Sequence, residues 1–294
     1  MPGKVAFLFL VLDDPHFPRV WDAYLAGTEA RASVYIHAKH PERGAWRRER
    51  VIADLRPTAW GRIVEAELAL FAAAMADPAN AKFLLVSESC LPVKPFAEMY
   101  ARLTADAAES FVRPMRVKRY DLEARLTPEI MGALGARPLT KHYARACLSR
   151  PDVRRLLYKY NAPLLRLFAA MPVGDEFFLT TIAPMPRCTP LAVVFDDWAS
   201  VEAEARALKA RVRALYEAQE AGAGDRSAAI AALQRRFEAL AKSPKTFSRL
   251  SRADLRAMAR TDSFFYRKFA RDSDVEAHIY ALIAPREPPR AEKM

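Results

Sequence analysis

Val5-Ala6-Phe7-Leu8-Phe9-Leu10-Val11-Leu12 is an unbroken apolar run of strand length, closed by Asp13-Asp14-Pro15. A run without polar alternation is the pattern of a strand covered on both faces. A helix is predicted over about Arg19–Ala26, and Ala32–Ile36 reads as a second short strand ending at His37. From Gly61 to Ala76, Ile63, Val64, Leu68, Phe71 and Met75 recur at helical spacing until Asp77-Pro78 stops them. Lys82–Val86 is a third buried strand with Ser87–Pro92 as its exit loop, and Phe96–Leu103 is helical. Strands alternating with helices predict an α/β domain with a largely parallel sheet. In such sheets ligands sit beyond the carboxyl ends of the strands, which makes Asp13, His37 and Glu88 candidates by position.

The later chain is less regular. Pro151–Leu167 reads as helix, Asp175–Ile182 follows a turn at Gly174, and Leu191–Phe195 is a late strand running into Asp196-Asp197-Trp198. Val201–Ala241 then becomes rich in Ala, Glu and Arg, broken once at Gly222–Asp225. Leu208, Val212 and Leu215 share one face, as do Ile230, Leu233, Phe237 and Leu240, so a helical hairpin is predicted. Its seven basic and six acidic residues nearly cancel. The hairpin leaves two readings, packing within the chain or an interaction of its own, with a second copy or with a partner enzyme. Residues 1–284 are expected to form one domain, with 285–294 a frayed tail.

Composition narrows the class. With 52% hydrophobic and 10% aromatic residues, the 294-residue chain can bury a core, which excludes general disorder. A formal charge of +11 favours anionic partners. No apolar run approaches the ~20 residues of a membrane span, and the first strand lacks the small-residue cleavage site of a signal peptide. Cys90, Cys147 and Cys188 form no CxxC, so a soluble protein in a reducing cytoplasm is expected. GxGxxG, GxxxxGK[ST] and GxSxG are absent, and the five histidines show no metal-ligand spacing. Arg43–Arg56 carries one interleaved aromatic, Trp46, where single-strand nucleic-acid binders need several, and reads as a solvated helix face.

Three acidic positions compete for chemistry. Asp175-Glu176 lies among Pro172, Val173, Phe177 and Phe178, and burial would raise its carboxylates toward the range of a general base. The competing reading makes Asp175 a helix cap and Glu176 a dipole partner. Glu88 either binds a ligand or satisfies its own loop, and Asp196-Asp197 has the wrong spacing for a shared metal. The one Asp-x-Asp, Asp272-Ser273-Asp274, reads as a helix cap before Val275. No metal cofactor is therefore expected. A departing diphosphate would be neutralised by side chains instead, from Phe264–Phe269 with Arg267 and Lys268, and from Lys242–Phe247 with Lys242 and Lys245.

Thr58-Ala59-Trp60-Gly61-Arg62-Ile63-Val64-Glu65-Ala66-Glu67, Asp77-Pro78 and Phe83–Val93 with its Ser-Glu-Ser-Cys resemble the core-2/I-branching β-1,6-N-acetylglucosaminyltransferase family (glycosyltransferase family 14). That family includes peptide O-xylosyltransferases, and the likeness, closest to its plant and microbial branch, spans about residues 4–270. It implies a GT-A-like fold with the 201–241 hairpin as an insertion, and inverting, metal-independent transfer from a UDP-sugar to a carbohydrate hydroxyl. N-acetylglucosamine is the favoured donor sugar and xylose the alternative. A non-catalytic nucleotide-sugar-binding protein is the rival of a different class.

Carried over residue by residue, the likeness makes Glu176 the catalytic base and Lys268 the diphosphate grip. The family's partner arginine falls on Lys242 or Lys245, a change that loses the bidentate fork. Arg62 and Arg267 join the donor site; the acidic nucleoside contact of animal members is unmatched after His37, where Ala38-Lys39 follow, and His37 takes over part of its role. Glu88, Asp175 and Trp198 complete the acceptor side. The expected partners are therefore a UDP-sugar and a glycan, not nucleic acid. The reading requires Glu176 and Lys268 to flank one small ligand.

Overall fold

The computed structural model describes residues 3–158, 162–183, 185–221, 224–240 and 243–285. The chain opens with β1 (Lys4–Val11), α1 (Pro18–Leu25) and β2 (Ala32–Ala38). After a long loop come α2 (Val64–Met75), β3 (Asn80–Ser87), β4 (Leu91–Pro92) and α3 (Phe96–Thr104). The middle consists of short pieces: β5 (Ser110–Phe111), β6 (Pro114–Met115), α4 (Arg119–Arg125), α5 (Pro128–Leu134), β7 (Lys141–His142) and β8 (Cys147–Ser149). Then follow α6 (Arg150–Tyr158), α7 (Ala162–Ala170), α8 (Phe178–Ile182), β9 (Cys188–Thr189) and β10 (Val194–Asp196). The last elements are α9 (Trp198–Glu220), α10 (Ser227–Leu240), α11 (Arg252–Arg260), β11 (Phe265–Arg267) and α12 (Glu276–Ile283).

The main sheet runs β2-β1-β3-β8-β5-β9. β1 is parallel to both neighbours, and β8 is antiparallel to β3 and β5. Its apolar run is explained by two covered faces. Val5, Phe7, Phe9 and Val11 face Trp21 and Tyr24 of α1 and Phe96 of α3, whereas Ala6, Leu8 and Leu10 face Leu70, Phe71 and Ala74 of α2. Because side chains alternate across a strand, only a continuous apolar sequence can serve both layers. A second sheet, β10-β11-β4, stacks its Phe265 ring on Trp21 at 5.8 Å and so joins the late chain to the first layer.

The mostly parallel, helix-flanked α/β sheet is as expected from the sequence, and several boundaries move. The 151–167 segment is helical over Arg150–Tyr158 and Ala162–Ala170, with residues 159–161 outside the described residues. The late strand shrinks to Val194–Asp196, the length of its three-residue partner Phe265–Arg267. Arg43–Arg56 is not a helix face: it is a loop with one 3-10 turn at Arg48–Arg50. Asp14 accepts the Ala45 and Trp46 amides there, and the Trp46 indole donates to Asp22 at 2.9 Å. α9 and α10 pack against each other as the predicted hairpin, with Phe237 facing Leu208, Val212 and Tyr216. Among the described residues no helix is long and apolar enough to cross a membrane. The tail from 286 onward lies outside the described residues.

Candidate functional site

Beyond the carboxyl edge of the sheet, a tight turn carries Asp175 and Glu176. Val173 holds φ 58°, a left-handed conformation that β-branched residues rarely adopt, and Gly174–Glu176 then forms one 3-10 turn. Two glycines make this possible. A Cβ on Gly174 would stand 2.0 Å from the Phe168 carbonyl oxygen, and one on Gly61, itself at φ 70°, would stand 2.9 Å from the Val173 nitrogen. The Val173 amide donates to the Gly61 carbonyl at 2.8 Å. The Trp-Gly motif is thus a buttress for the acidic turn, with the Trp60 indole itself 80% exposed. The turn is clamped, not loose.

Asp175 does not cap a helix. α8 starts after Phe177 without a side-chain cap, and the buried Asp175 Oδ1 has no partner. Burial pushes the Asp175 carboxyl up, against the pull of Arg145 and Arg267. Glu176 is also pushed up by burial; Lys141, with Nζ 3.4 Å from its Oε2, pulls the other way, and Asp175 adds to the rise. The result is a partly exposed carboxylate biased toward holding a proton, the property a general base needs. Because Lys141 favours the charged form, Lys141→Met is expected to move the acid limb of the kcat/KM–pH profile to higher pH. An unmoved limb would detach that limb from Glu176.

Beneath the turn lies a group that the sequence reading quoted without assigning a role. Glu67 of α2 is 0% exposed, its Oε1 3.3 Å from the Arg145 guanidinium and its Oε2 without a partner. Burial and then Asp175 push Glu67 well above the carboxylate range, with Arg145 opposing. A signal was present: Glu67 lies three residues after Val64 and four before Phe71, on the apolar face of its helix. Helical period marks Glu67 as buried, but no such pattern marks Arg145, and nothing along the sequence pairs the two.

The opposite flank comes from the second sheet. The register of β10 with β11 sets Asp196 beside Arg267, whose Nη1 reaches both carboxylate oxygens at 3.1 Å. Lys268 is half-buried; burial and then Arg267 lower its ammonium below the usual range, while Glu88 and Asp196 resist. Lys245 donates from Nζ to Asp254 at 2.6 Å, and its carbonyl accepts the Lys268 amide at 3.4 Å. Its charge is neutralised locally while its backbone braces Lys268. Lys242 lies outside the described residues.

The two flanks share one electrostatic neighbourhood. Asp175 responds to Arg267, Lys268 responds to Arg145, and Arg145 responds to Asp175. Tyr143 feels Asp196 and Glu176 together, and burial keeps its hydroxyl protonated. Glu88 enters this neighbourhood through Lys268, and half-buried Trp198 begins α9 directly after the capping residue Asp197. His37 is placed differently. It is fully buried and its Nε2 accepts the Arg56 amide at 2.8 Å, so its ring holds the 51–56 loop. Arg62 is exposed on the Trp60–Gly61 turn, Asp13 is bound by Arg271, and Val275, not Asp274, occupies the cap of α12. Among the described residues no three His, Cys, Asp or Glu side chains group as a metal site.

A family model described as Core-2/I-branching enzyme matches residues 5–198. The rice (Oryza sativa subsp. japonica) protein glycosyltransferase BC10 is 32% identical over 123 residues, 38% of this chain and 31% of the rice protein. The chain therefore aligns with about a third of that relative's length. The family match includes Glu67, Arg145, Asp175 and Glu176, and ends before Lys245, Arg267 and Lys268.

Proposed function

This chain belongs to the Core-2/I-branching enzyme family of glycosyltransferases, and from that premise we propose an inverting, metal-independent transfer of a sugar from a UDP-sugar to a glycan hydroxyl. N-acetylglucosamine is the donor sugar we favour. The observation that carries the reading is one half-buried, proton-biased Glu176 on a clamped turn, facing a flank of cations across Asp175 and Arg145.

Glu176 takes the proton from the acceptor hydroxyl as that oxygen attacks the anomeric carbon from the face opposite UDP. The carbon–oxygen bond to the β-phosphate breaks, and its electron pair leaves on the diphosphate. Lys268 neutralises the charge that develops there, and Arg267 and Arg145 add to the positive field. Lys245 acts through the Lys268 backbone. The low-dielectric setting that lowers the Lys268 pKa also strengthens its attraction for a diphosphate.

The test is UDP release from candidate UDP-sugars with and without a glycan acceptor, in EDTA. Activity is expected to survive chelation. Lys268→Met is expected to lower kcat/KM by about 10²–10³, the loss seen when one preorganised charge stabiliser is removed. Donor binding without any turnover, even hydrolysis over hours, would replace this reading by a nucleotide-sugar-binding protein.

A further inference from the structure

The segment from Arg113 to Arg145 carries eight Lys or Arg against three Asp or Glu, a net of +5 out of the chain's +11. The fold lays this segment against the Glu176 turn. The Arg125 Nε donates to the Pro172 carbonyl at 3.2 Å, and its guanidinium lies over the Phe177 ring at 5.1 Å. Lys141 meets Glu176 from β7, whose partner strand β6 ends one residue before Arg116. The Arg113 guanidinium stacks on Tyr143 at 5.0 Å, and Tyr143 is the residue that feels Glu176 and Asp196 together.

Two groups of cations therefore border the turn, and they differ in kind. On the Lys268 side, Arg267, Arg145 and Lys245 each have a carboxylate, namely Asp196, Glu67 and Asp254. On the other side, Arg113 and Arg116 are exposed and form no ion pair among the described residues. Asp175 is drawn toward Arg145 and Arg267 of the first group, whereas Glu176 is held by Lys141 and Arg125, which belong to the same segment as Arg113 and Arg116. The hydroxyl that Glu176 deprotonates must approach from the side the donor does not fill. The Trp60 indole stands exposed across the same turn, held there by the Gly61–Val173 hydrogen bond. A flat, exposed indole suits the apolar C–H face of a pyranose.

We propose that the acceptor is an acidic saccharide, one whose sugar lies on Trp60 and whose carboxylate or phosphate lies against Arg113 and Arg116. This rests on the transferase reading for the role of Glu176. An anion there gains charge-assisted hydrogen bonds from exposed guanidinium groups, whereas a neutral glycan brings no opposite charge to them. Because Arg113 and Arg116 are exposed to solvent, the preference is salt-dependent, with a screening length of about 8 Å at physiological ionic strength.

The experiment uses the full chain and fluorescent oligosaccharides in matched pairs. One pair is a uronate-bearing oligosaccharide and the same compound with its carboxyls reduced to alcohols. The other is a phosphate-bearing oligosaccharide and its dephosphorylated form. Binding is read by anisotropy at low and physiological salt, with a DNA oligonucleotide as a further polyanion. At least one acidic member is expected to bind about tenfold more tightly than its neutral twin. Which pair discriminates identifies the anion. Arg113→Gln with Arg116→Gln, checked for an unchanged thermal melt, is expected to remove the difference, and Trp60→Ala to weaken both members. Equal binding within both pairs, an unaffected double variant, or DNA binding as tightly as the saccharides would overturn the proposal. Hydrolysis of UDP-sugar by the unaltered protein is followed in parallel. If it is absent while the acidic preference holds, the transferase reading fails and this surface stands as an acidic-glycan site.

Discussion

Glu176→Gln is expected to lower turnover by about 10²–10⁴, the range for loss of a positioned general base. The amide fills the same volume and stays on the same 3-10 turn, but it cannot take a proton from the acceptor hydroxyl. Its Oε1 can still face Lys141, so the turn and the thermal stability should change little. Donor binding should also persist, because the cations that meet the diphosphate come from β11 and its following residue, not from this turn. The measurement is steady-state sugar transfer beside a thermal shift with UDP. Lost turnover with a retained UDP shift assigns proton transfer to Glu176. More than half the wild-type turnover would remove it from that role.

Arg145→Met is expected to destabilise the chain by about 3–5 kcal/mol at neutral pH, the cost of removing one member of a buried ion pair. Arg145 pairs with Glu67 and is the cation acting most strongly on Asp175, and each of these carboxyls is already pushed up by burial. The sign of the pH effect follows. A carboxyl raised in the folded state binds its proton more tightly there than in the unfolded chain. The contribution of these two carboxyls to stability is therefore greatest in acid, and it falls as pH climbs from the ordinary Glu value of 4.5 through the raised folded value. Without Arg145 both carboxyls rise further, so the deficit at neutral pH grows while that at low pH stays small. Urea denaturation of both proteins at about pH 4 and about pH 7 tests this. Equal losses at both pH values would mean that packing, not charge, is what Arg145 supplies. Adding Glu67→Gln to Arg145→Met should return part of the stability, since it removes one stranded carboxyl.

Much of the fold was legible along the chain. β1 and the Phe83–Val86 stretch of β3 were marked by apolar runs, because strand positions buried on both faces take apolar side chains. The Ala-rich hairpin was marked by its two helical stripes. What misled was local capping logic. Asp175 stands where a cap would, yet the chain makes one 3-10 turn before α8 begins, so the carboxylate is turned inward instead. Arg43–Arg56 misled because charge without apolar spacing cannot specify a helix.

The candidate site divides in the same way. Asp175-Glu176, Lys268 and the Trp-Gly turn are motifs of a few residues, and a short stretch of chain carries them whole. That Glu67 meets Arg145 across 78 positions, that Lys245 is neutralised by Asp254, and that His37 is closed inside its loop are all properties of the folded chain. Apolar period is a local quantity, since neighbours along the chain decide which face is buried. Ion pairing is not local: it depends on which strands lie side by side, and only the order of the sheets brings these charges within reach of one another.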